Sequence, residues 1–239
     1  MNEENFKLSE LMQLSQNSGW YVTRQPYYCF KKKASVQIEP KVVTMPDGKP
    51  LPNGEVILYQ SFFDEIESNQ LFQELRSSIN WRQDKMKIFG KEVDLPRLTA
   101  WYGDENKFYK YSGITMNPEP WTPTLFSIKQ KIEEVVEVEF NSVLLNHYRH
   151  GKDYVSWHSD NETELGQNPI IASVSLGETR RFQLRHKSEK YLDKVEINLT
   201  NGCLLLMKGA TQHFWQHQIP KTSKQLKERI NLTFRFIYS

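Results

Sequence analysis

Cysteine is scarce in this 239-residue chain, where only Cys29 and Cys203 occur. Two thiols cannot build the disulfide framework of a small secreted fold, so the sequence points to a reducing compartment. Long apolar runs are missing too. None approaches the roughly 18 residues that a membrane-spanning helix needs, and no membrane partner is expected. Met1 to Trp20 carries Glu3, Glu4, Lys7 and Glu10 among its apolar residues, which excludes a secretory signal. The Asn-x-Thr triplets at Asn161, Asn198 and Asn231 then carry no glycosylation meaning. An intracellular location is expected, cytoplasmic in a bacterium and nuclear and/or cytoplasmic in a eukaryote. Excess charge of one sign is also absent. The formal net charge is +2, so overall charge selects no partner, although Lys31-Lys32-Lys33 and Lys221, Lys224 and Lys227 offer local basic surface. There is no internal repeat and no low-complexity tract.

What is present suits a folded enzyme of one domain with an N-terminal appendage: 38% of residues are hydrophobic and 13% aromatic. Residues 1–54 read as that extension. Phe6, Leu8, Leu11 and Leu14 line a short helical stretch, after which Pro26, Pro40, Pro46, Pro50 and Pro52 interrupt the pattern. Asp47-Gly48 and Asn53-Gly54 read as turns. From Glu55 the pattern is denser. Val56 to Tyr59 predicts a strand. Ile66 to Ile79 predicts a helix, with Leu71, Phe72, Leu75 and Ile79 at helical spacing. Thr122-Pro123 opens a second helix with a cap residue and a first-turn proline, and Leu125, Ile128, Ile132 and Val135 mark its buried stripe. After Phe140 the chain changes to short β-prone segments: Val143–Tyr148, Ile170–Leu176, Arg181–His186, Val195–Leu199, Cys203–Met207, His213–Ile219 and Arg229–Tyr238. Strands at this spacing suggest a sandwich or barrel. The fold class expected is α+β, with two helices ahead of a jelly-roll core.

All six histidines fall between positions 147 and 217. Among them stands His158-Ser159-Asp160. On an extended segment His158 and Asp160 project to one face, so both can bind one ion. A histidine from a later strand would complete a two-histidine, one-carboxylate face, the set that leaves positions open on iron(II) for oxygen and a chelating co-substrate. His-x-Asp alone also fits an ordinary surface turn. The last predicted strand alternates strictly: Ile230, Leu232, Phe234 and Phe236 face one way, Arg229, Asn231, Thr233 and Arg235 the other. A solvated outer face explains most such alternation. Two arginines flanking Asn and Thr also suit a buried dicarboxylate, because a guanidinium presents a fixed, permanently charged fork.

Taken together these features resemble the AlkB family of nucleic-acid dealkylating dioxygenases. The resemblance lies in His-x-Asp, a histidine some sixty residues on, and Arg-x-Asn-x-Thr-x-Arg at the end. Pro96 to Gly103, Asn146-His147-Tyr148, Trp157 to Asp160, Pro169 to Leu176, and Gly209-Ala210-Thr211-Gln212 leading to Trp215-Gln216-His217 add to it. It spans roughly residues 55–238 and is strongest toward the eukaryotic DNA-repair homologues and their bacterial relatives. It implies a double-stranded β-helix core with supporting helices and an N-terminal nucleotide-recognition lid. Residues 55–239 would form the dioxygenase domain, with the lid inside 55–121 and the jelly-roll core at 140–239.

The resemblance further implies Fe(II) on His158, Asp160 and His217, with His213 left to a supporting role. It implies 2-oxoglutarate and O2 as co-substrates, with Asn146, Tyr148, Arg229, Asn231 and Arg235 contacting the keto acid and Arg229 its distal carboxylate. For the substrate it implies Tyr109, Tyr111, Glu162, Arg97 and Phe89. Tyr109 and Tyr111 match lid aromatics, Glu162 an acid reading the base edge, and Phe89 an apolar finger that fills the gap of a flipped base. Asn161 stands where the nearest relatives carry Asp. The implied activity is oxidative demethylation of bases such as 1-methyladenine and 3-methylcytosine in DNA, with RNA a second candidate, releasing succinate, carbon dioxide and formaldehyde. A monomer is expected. The competing reading is a 2-oxoglutarate-dependent hydroxylase of a protein or small metabolite.

Overall fold

In the computed structural model, residues 20–23, 29–32, 39–88, 90–105, 109–111, 114–116 and 118–238 are described. The chain divides into two units, Met1–Gln37 and Ile38–Ser239. In the first, β1 (Trp20–Thr23) pairs antiparallel with β2 (Cys29–Lys32), Trp20 opposite Lys32. The stretch of Phe6 to Leu14 lies outside the described residues.

The second unit begins before the boundary expected at residue 54. Its first strand, β3 (Lys41–Val42), pairs with β4 (Glu55–Tyr59). Val43, Met45 and Leu51 are buried in the same core as the later strands. The prolines shape this stretch without detaching it: Gly48 donates to Met45 and Gly54 to Leu51, closing the two predicted turns.

Helix α1 (Glu65–Ser78) follows, capped by the Asp64 carboxylate, which accepts from the Glu67 amide at 2.8 Å. Two short hairpins flank the next strand: β5 (Lys85–Ile88) with β6 (Lys91–Asp94), then β7 (Leu98–Gly103), then β8 (Tyr109–Tyr111) with β9 (Ile114–Met116). Helix α2 (Pro123–Val136) starts as predicted, with the Thr122 hydroxyl accepting from the Leu125 amide. Its buried line runs through Leu125, Ile128 and Ile132 toward Val136; Val135, expected in that stripe, is 39% exposed. The buried face is set by the spacing i, i+3, i+7 and i+11, and position 135 lies off it.

The remaining elements are β10 (Ser142–Tyr148), β11 (Val155–His158), β12 (Ile171–Gly177), β13 (Arg180–His186), β14 (Val195–Leu199), β15 (Cys203–Lys208), the turn α3 (Thr211–Phe214), β16 (Trp215–Ile219) and β17 (Arg229–Arg235). β11 is a strand the sequence pattern does not predict, and two others depart from it in their bounds. The strand expected from His213 starts only at Trp215, because α3 precedes it. The last strand ends at Arg235; Phe236 lies beyond it, half-buried, its ring against Tyr238 at 4.9 Å.

The long sheet has the order β3-β4-β15-β12-β17-β10-β7, and the short one β11-β16-β13-β14. Every pairing in both is antiparallel. One apolar cluster fills the space between the sheets, with Leu144, Leu205 and Met207 from one and Phe182, Leu184 and Trp215 from the other. A second sits under the helices, where Leu75, Leu125, Ile128 and Ile132 meet Val143, Leu145, Val174 and Leu232. The long sheet is therefore covered on both faces, which explains why all seven residues of β10 and all seven of β17 are buried. The α+β jelly roll expected from the sequence is the fold observed.

Candidate active site

Strand alternation makes the site. On β17, Ile230, Leu232 and Phe234 join the helix-side core. Arg229, Asn231, Thr233 and Arg235 turn the other way, into a cavity between the sheets. Pairing with β10 sets Tyr148 opposite Arg229, Asn146 opposite Asn231 and Ser142 opposite Arg235. Pairing with β12 adds Ser175 opposite Asn231 and Ser173 opposite Thr233. Arg229 and Arg235 are six residues apart on the same face of one strand, and both line this cavity, one at each end.

At one end stand His158, Asp160 and His217, whose ligand atoms all lie within 4.8 Å of one another. The two histidines are cross-strand neighbours on β11 and β16, with ring centroids 4.2 Å apart. Asp160 Oδ1 is 3.6 Å from His158 Nε2. The Nδ1 of His158 lies 2.8 Å from the Ser156 carbonyl. A proton on Nδ1 donates to that oxygen and leaves Nε2 as a lone pair facing Asp160, the usual way a ligand imidazole is oriented. Phe182 stacks on His217 at 5.2 Å. Burial, then the neighbouring His158, pushes the His217 pKa down to about 3, so its ring is neutral and able to ligate. Burial pushes Asp160 upward, but Arg235 and the two histidines outweigh it and hold the carboxyl well below the usual carboxylate range. Arg235 donates to Asp160 Oδ2 from Nη2 at 2.7 Å and from Nε at 3.2 Å. The two carboxylate oxygens thus have separate roles, Oδ1 toward His158 and Oδ2 toward the arginine. Two imidazoles and a carboxylate with open positions suit non-haem iron(II).

At the other end Arg229 is 1% exposed. Its Nη2 donates to Ser175 Oγ at 2.8 Å, and its guanidinium lies 5.1 Å from the centre of the Tyr148 ring. Nε and Nη1 are buried with no hydrogen-bond partner among the described residues. Burial lowers the Arg229 pKa from the ordinary guanidinium range, and Tyr148 opposes that shift. A buried guanidinium with unpaired donors is costly alone, and an incoming carboxylate supplies the missing acceptor and charge. Gly177, opposite Arg229 on β12, permits the close approach there. It has φ +86°, and a Cβ would lie 2.6 Å from the Glu228 carbonyl and 2.8 Å from the Phe72 ring.

Between the ends the wall is a polar network. Asn231 donates to Ser173 Oγ at 2.8 Å and to the Val174 carbonyl at 2.9 Å, and accepts from Thr233 at 3.1 Å. Asn146 Oδ1 accepts from Arg97 Nε at 2.6 Å, and the Asn146 amide reaches Asn231 at 3.5 Å. Arg97, read from the sequence as a substrate contact, therefore lines this wall beside Asn146, 3% exposed.

The structure thus gathers His158, Asp160, His217, Asn146, Tyr148, Arg229, Asn231, Arg235 and Arg97 around one cavity. Glu162 stands two residues past Asp160, with Oε2 buried and unpartnered among the described residues. Tyr109 and Tyr111 lie on β8, at register positions paired with Met116 and Ile114 of β9. Phe89 lies outside the described residues. His213 is exposed, its Nε2 accepting from the Asn168 amide at 3.4 Å. Sequence reasoning missed Ser173, Ser175, Phe182 and Gln212. The first two carried a signal, small hydroxyls at alternate positions within an otherwise apolar strand.

Residues 55–235 match the family model of the 2OG-Fe(II) oxygenase superfamily. The chain is 43% identical over 197 residues to the mouse (Mus musculus) alpha-ketoglutarate-dependent dioxygenase alkB homolog 3, covering 79% of this chain and 68% of that protein. It is 37% identical over 188 residues to the human (Homo sapiens) DNA oxidative demethylase ALKBH2, covering 75% of this chain and 72% of that protein. The solved structure of OsALKBH1 shares the fold, with a TM-score of 0.54 at 17% identity over 78% of this chain and 98% of that one. With the ligand geometry and these matches in hand, the chain belongs to the AlkB family of 2OG-Fe(II) oxygenases.

Proposed function

We propose that this protein oxidatively removes small N-alkyl groups from bases of damaged DNA, 1-methyladenine and 3-methylcytosine among them, and that RNA is a second substrate. The observation that carries this reading is a single cavity holding both a His158–Asp160–His217 set and, at its other end, a buried arginine with two donors unpartnered among the described residues. The names of the relatives add the substrate class: one is a DNA oxidative demethylase.

Iron(II) with 2-oxoglutarate and O2 supplies oxidation at the N-alkyl carbon, giving succinate, carbon dioxide and, from a methyl group, formaldehyde. The protein's own residues do the rest. His158, Asp160 and His217 hold the metal. Arg229, with Ser175 and Tyr148 behind it, holds the distal carboxylate of 2-oxoglutarate, while Asn146 and Asn231 shape the wall along it. Arg235 keeps Asp160 ionised and directs Oδ1 toward the metal position. Glu162 presents, beyond the ligands, a carboxylate oxygen unpaired among the described residues. It suits a base that is cationic or carries an exocyclic amine, extruded from a strand whose pairing the lesion already weakens.

The test is turnover on matched single- and double-stranded oligonucleotides carrying 1-methyladenine or 3-methylcytosine, with formaldehyde and succinate measured together. One formaldehyde per succinate, abolished by His158→Ala, is expected. Succinate formation that ignores every methylated strand would reject the nucleobase reading and leave a protein or metabolite hydroxylase in its place.

A further inference from the structure

Gln212 belongs to neither the metal set nor the 2-oxoglutarate wall, yet it is a fully buried carboxamide, 0% exposed. A buried amide is costly unless its polar atoms are used, and those of Gln212 are. Its Oε1 accepts from the backbone N–H of Asp160 at 2.9 Å, and its Nε2 points to Met207 Sδ at 3.5 Å. The Gln212 backbone is itself fixed, because its carbonyl accepts from Lys187 Nζ at 2.8 Å. The preceding residue, Thr211, is tied at both sides. Its hydroxyl donates to the Lys208 carbonyl at 2.6 Å and accepts from the Glu55 amide at 2.8 Å.

The ligand segment leaves β11 at His158, so beyond it no ladder partner holds Asp160. Two contacts take over where the ladder ends at the His158–His217 pair. Ser159 Oγ donates to the Trp215 carbonyl at 2.7 Å, and Asp160 N–H donates to Gln212. Only the last acts on the backbone of the carboxylate ligand. We infer that Gln212 is a positioning residue for the metal centre, fixing the Asp160 main chain so that Oδ1 faces His158 while Oδ2 meets Arg235. This inference rests on the metal assignment above and adds to it a residue that touches neither metal nor substrate.

The test uses the full-length chain and Co(II) alone as the probe, followed by its visible absorption. Gln212→Met keeps the length of the side chain and removes the acceptor. Gln212→Asn keeps the amide and withdraws it by one methylene, a second route should the first variant fold poorly. Co(II) affinity is expected to fall roughly 10- to 100-fold in each, the usual range for residues that orient metal ligands, with an altered visible band. Gln218→Met, changing a side chain that donates to Gln183, is expected to match the wild type. A merely structural Gln212 would lower the melting temperature and leave the affinity and band of the folded protein unchanged. Affinity within twofold of wild type, with the same band, in a folded variant overturns the inference. Failure of the wild type itself to bind Co(II), or binding that survives Asp160→Ala, would instead reject the metal assignment.

Discussion

The two ends of the cavity are built on opposite electrostatic plans. Each has a buried arginine from the same face of β17. Arg235 is matched within the chain, donating twice to Asp160. Arg229 is not: it meets Ser175 and the Tyr148 ring, and two of its nitrogens have no acceptor among the described residues. The metal end is thus close to balanced by the protein alone, with an anionic carboxylate, a neutral His217 and a cation behind them. The far end carries a positive charge that only an added anion completes. In the proposed function one end would receive the metal and the other the co-substrate's anionic group.

This contrast can be broken by the same substitution at each end. Arg235→Met leaves Asp160 buried without its cation, and losing one member of a buried pair costs roughly 3–5 kcal/mol. The metal-free protein should show that loss in denaturant unfolding, and bound Co(II) should recover part of it by supplying positive charge. Arg229→Met removes a buried charge that has no anionic partner among the described residues. The co-substrate-free protein should therefore be as stable as wild type or more so. Affinity for 2-oxoglutarate should fall by about 2–5 kcal/mol, on the order of 30-fold or more in Kd, read by calorimetry. Equal destabilisation of the free protein by both substitutions would erase the contrast.

A smaller effect concerns the loop beside the Arg229 end. Asp153 is 2% exposed, and its carboxylate accepts from the Arg149 amide, Nε and Nη2 at 2.9, 2.8 and 3.0 Å. Burial pushes its pKa up, but the bonds from Arg149 outweigh this and leave it below the ordinary value of 3.8. A folded pKa below the unfolded one stabilises the protein fully above the unfolded value, and that contribution fades as pH falls through the folded value. Asp153→Asn should lower the melting temperature at neutral pH and flatten its decline below about pH 4.

Much of the site was legible in the sequence because strand periodicity is simple. The alternation over Arg229 to Arg235 separates core from cavity at every position of β17, and His158, Asp160 and the later His217 are groups that the fold brings within 4.8 Å of one another. What was hidden depends on pairing and tertiary contact. That His158 stands opposite His217 is a matter of register between strands far apart in sequence. Nothing local announces that Gln212 faces the Asp160 amide, or that Arg97 turns to Asn146. Prolines and turn dipeptides suggest a boundary at residue 54, but burial of Val43, Met45 and Leu51 ties residues 39–54 to the core. The strand expected from His213 fails for a local reason, since the α3 turn takes up Thr211 to Phe214 and leaves His213 exposed.

The central claim is that 2-oxoglutarate spans this cavity, chelating a metal held by His158, Asp160 and His217 and anchored by Arg229. The most direct test is an anaerobic titration of the Fe(II)-loaded protein with 2-oxoglutarate, following the visible charge-transfer band that forms when a 2-oxo acid chelates Fe(II). The account predicts a saturable band at one 2-oxoglutarate per chain, absent in His158→Ala and reached in Arg229→Met only at concentrations on the order of 30-fold higher or more. No band in the wild type, or the same titration curve in Arg229→Met, would contradict it.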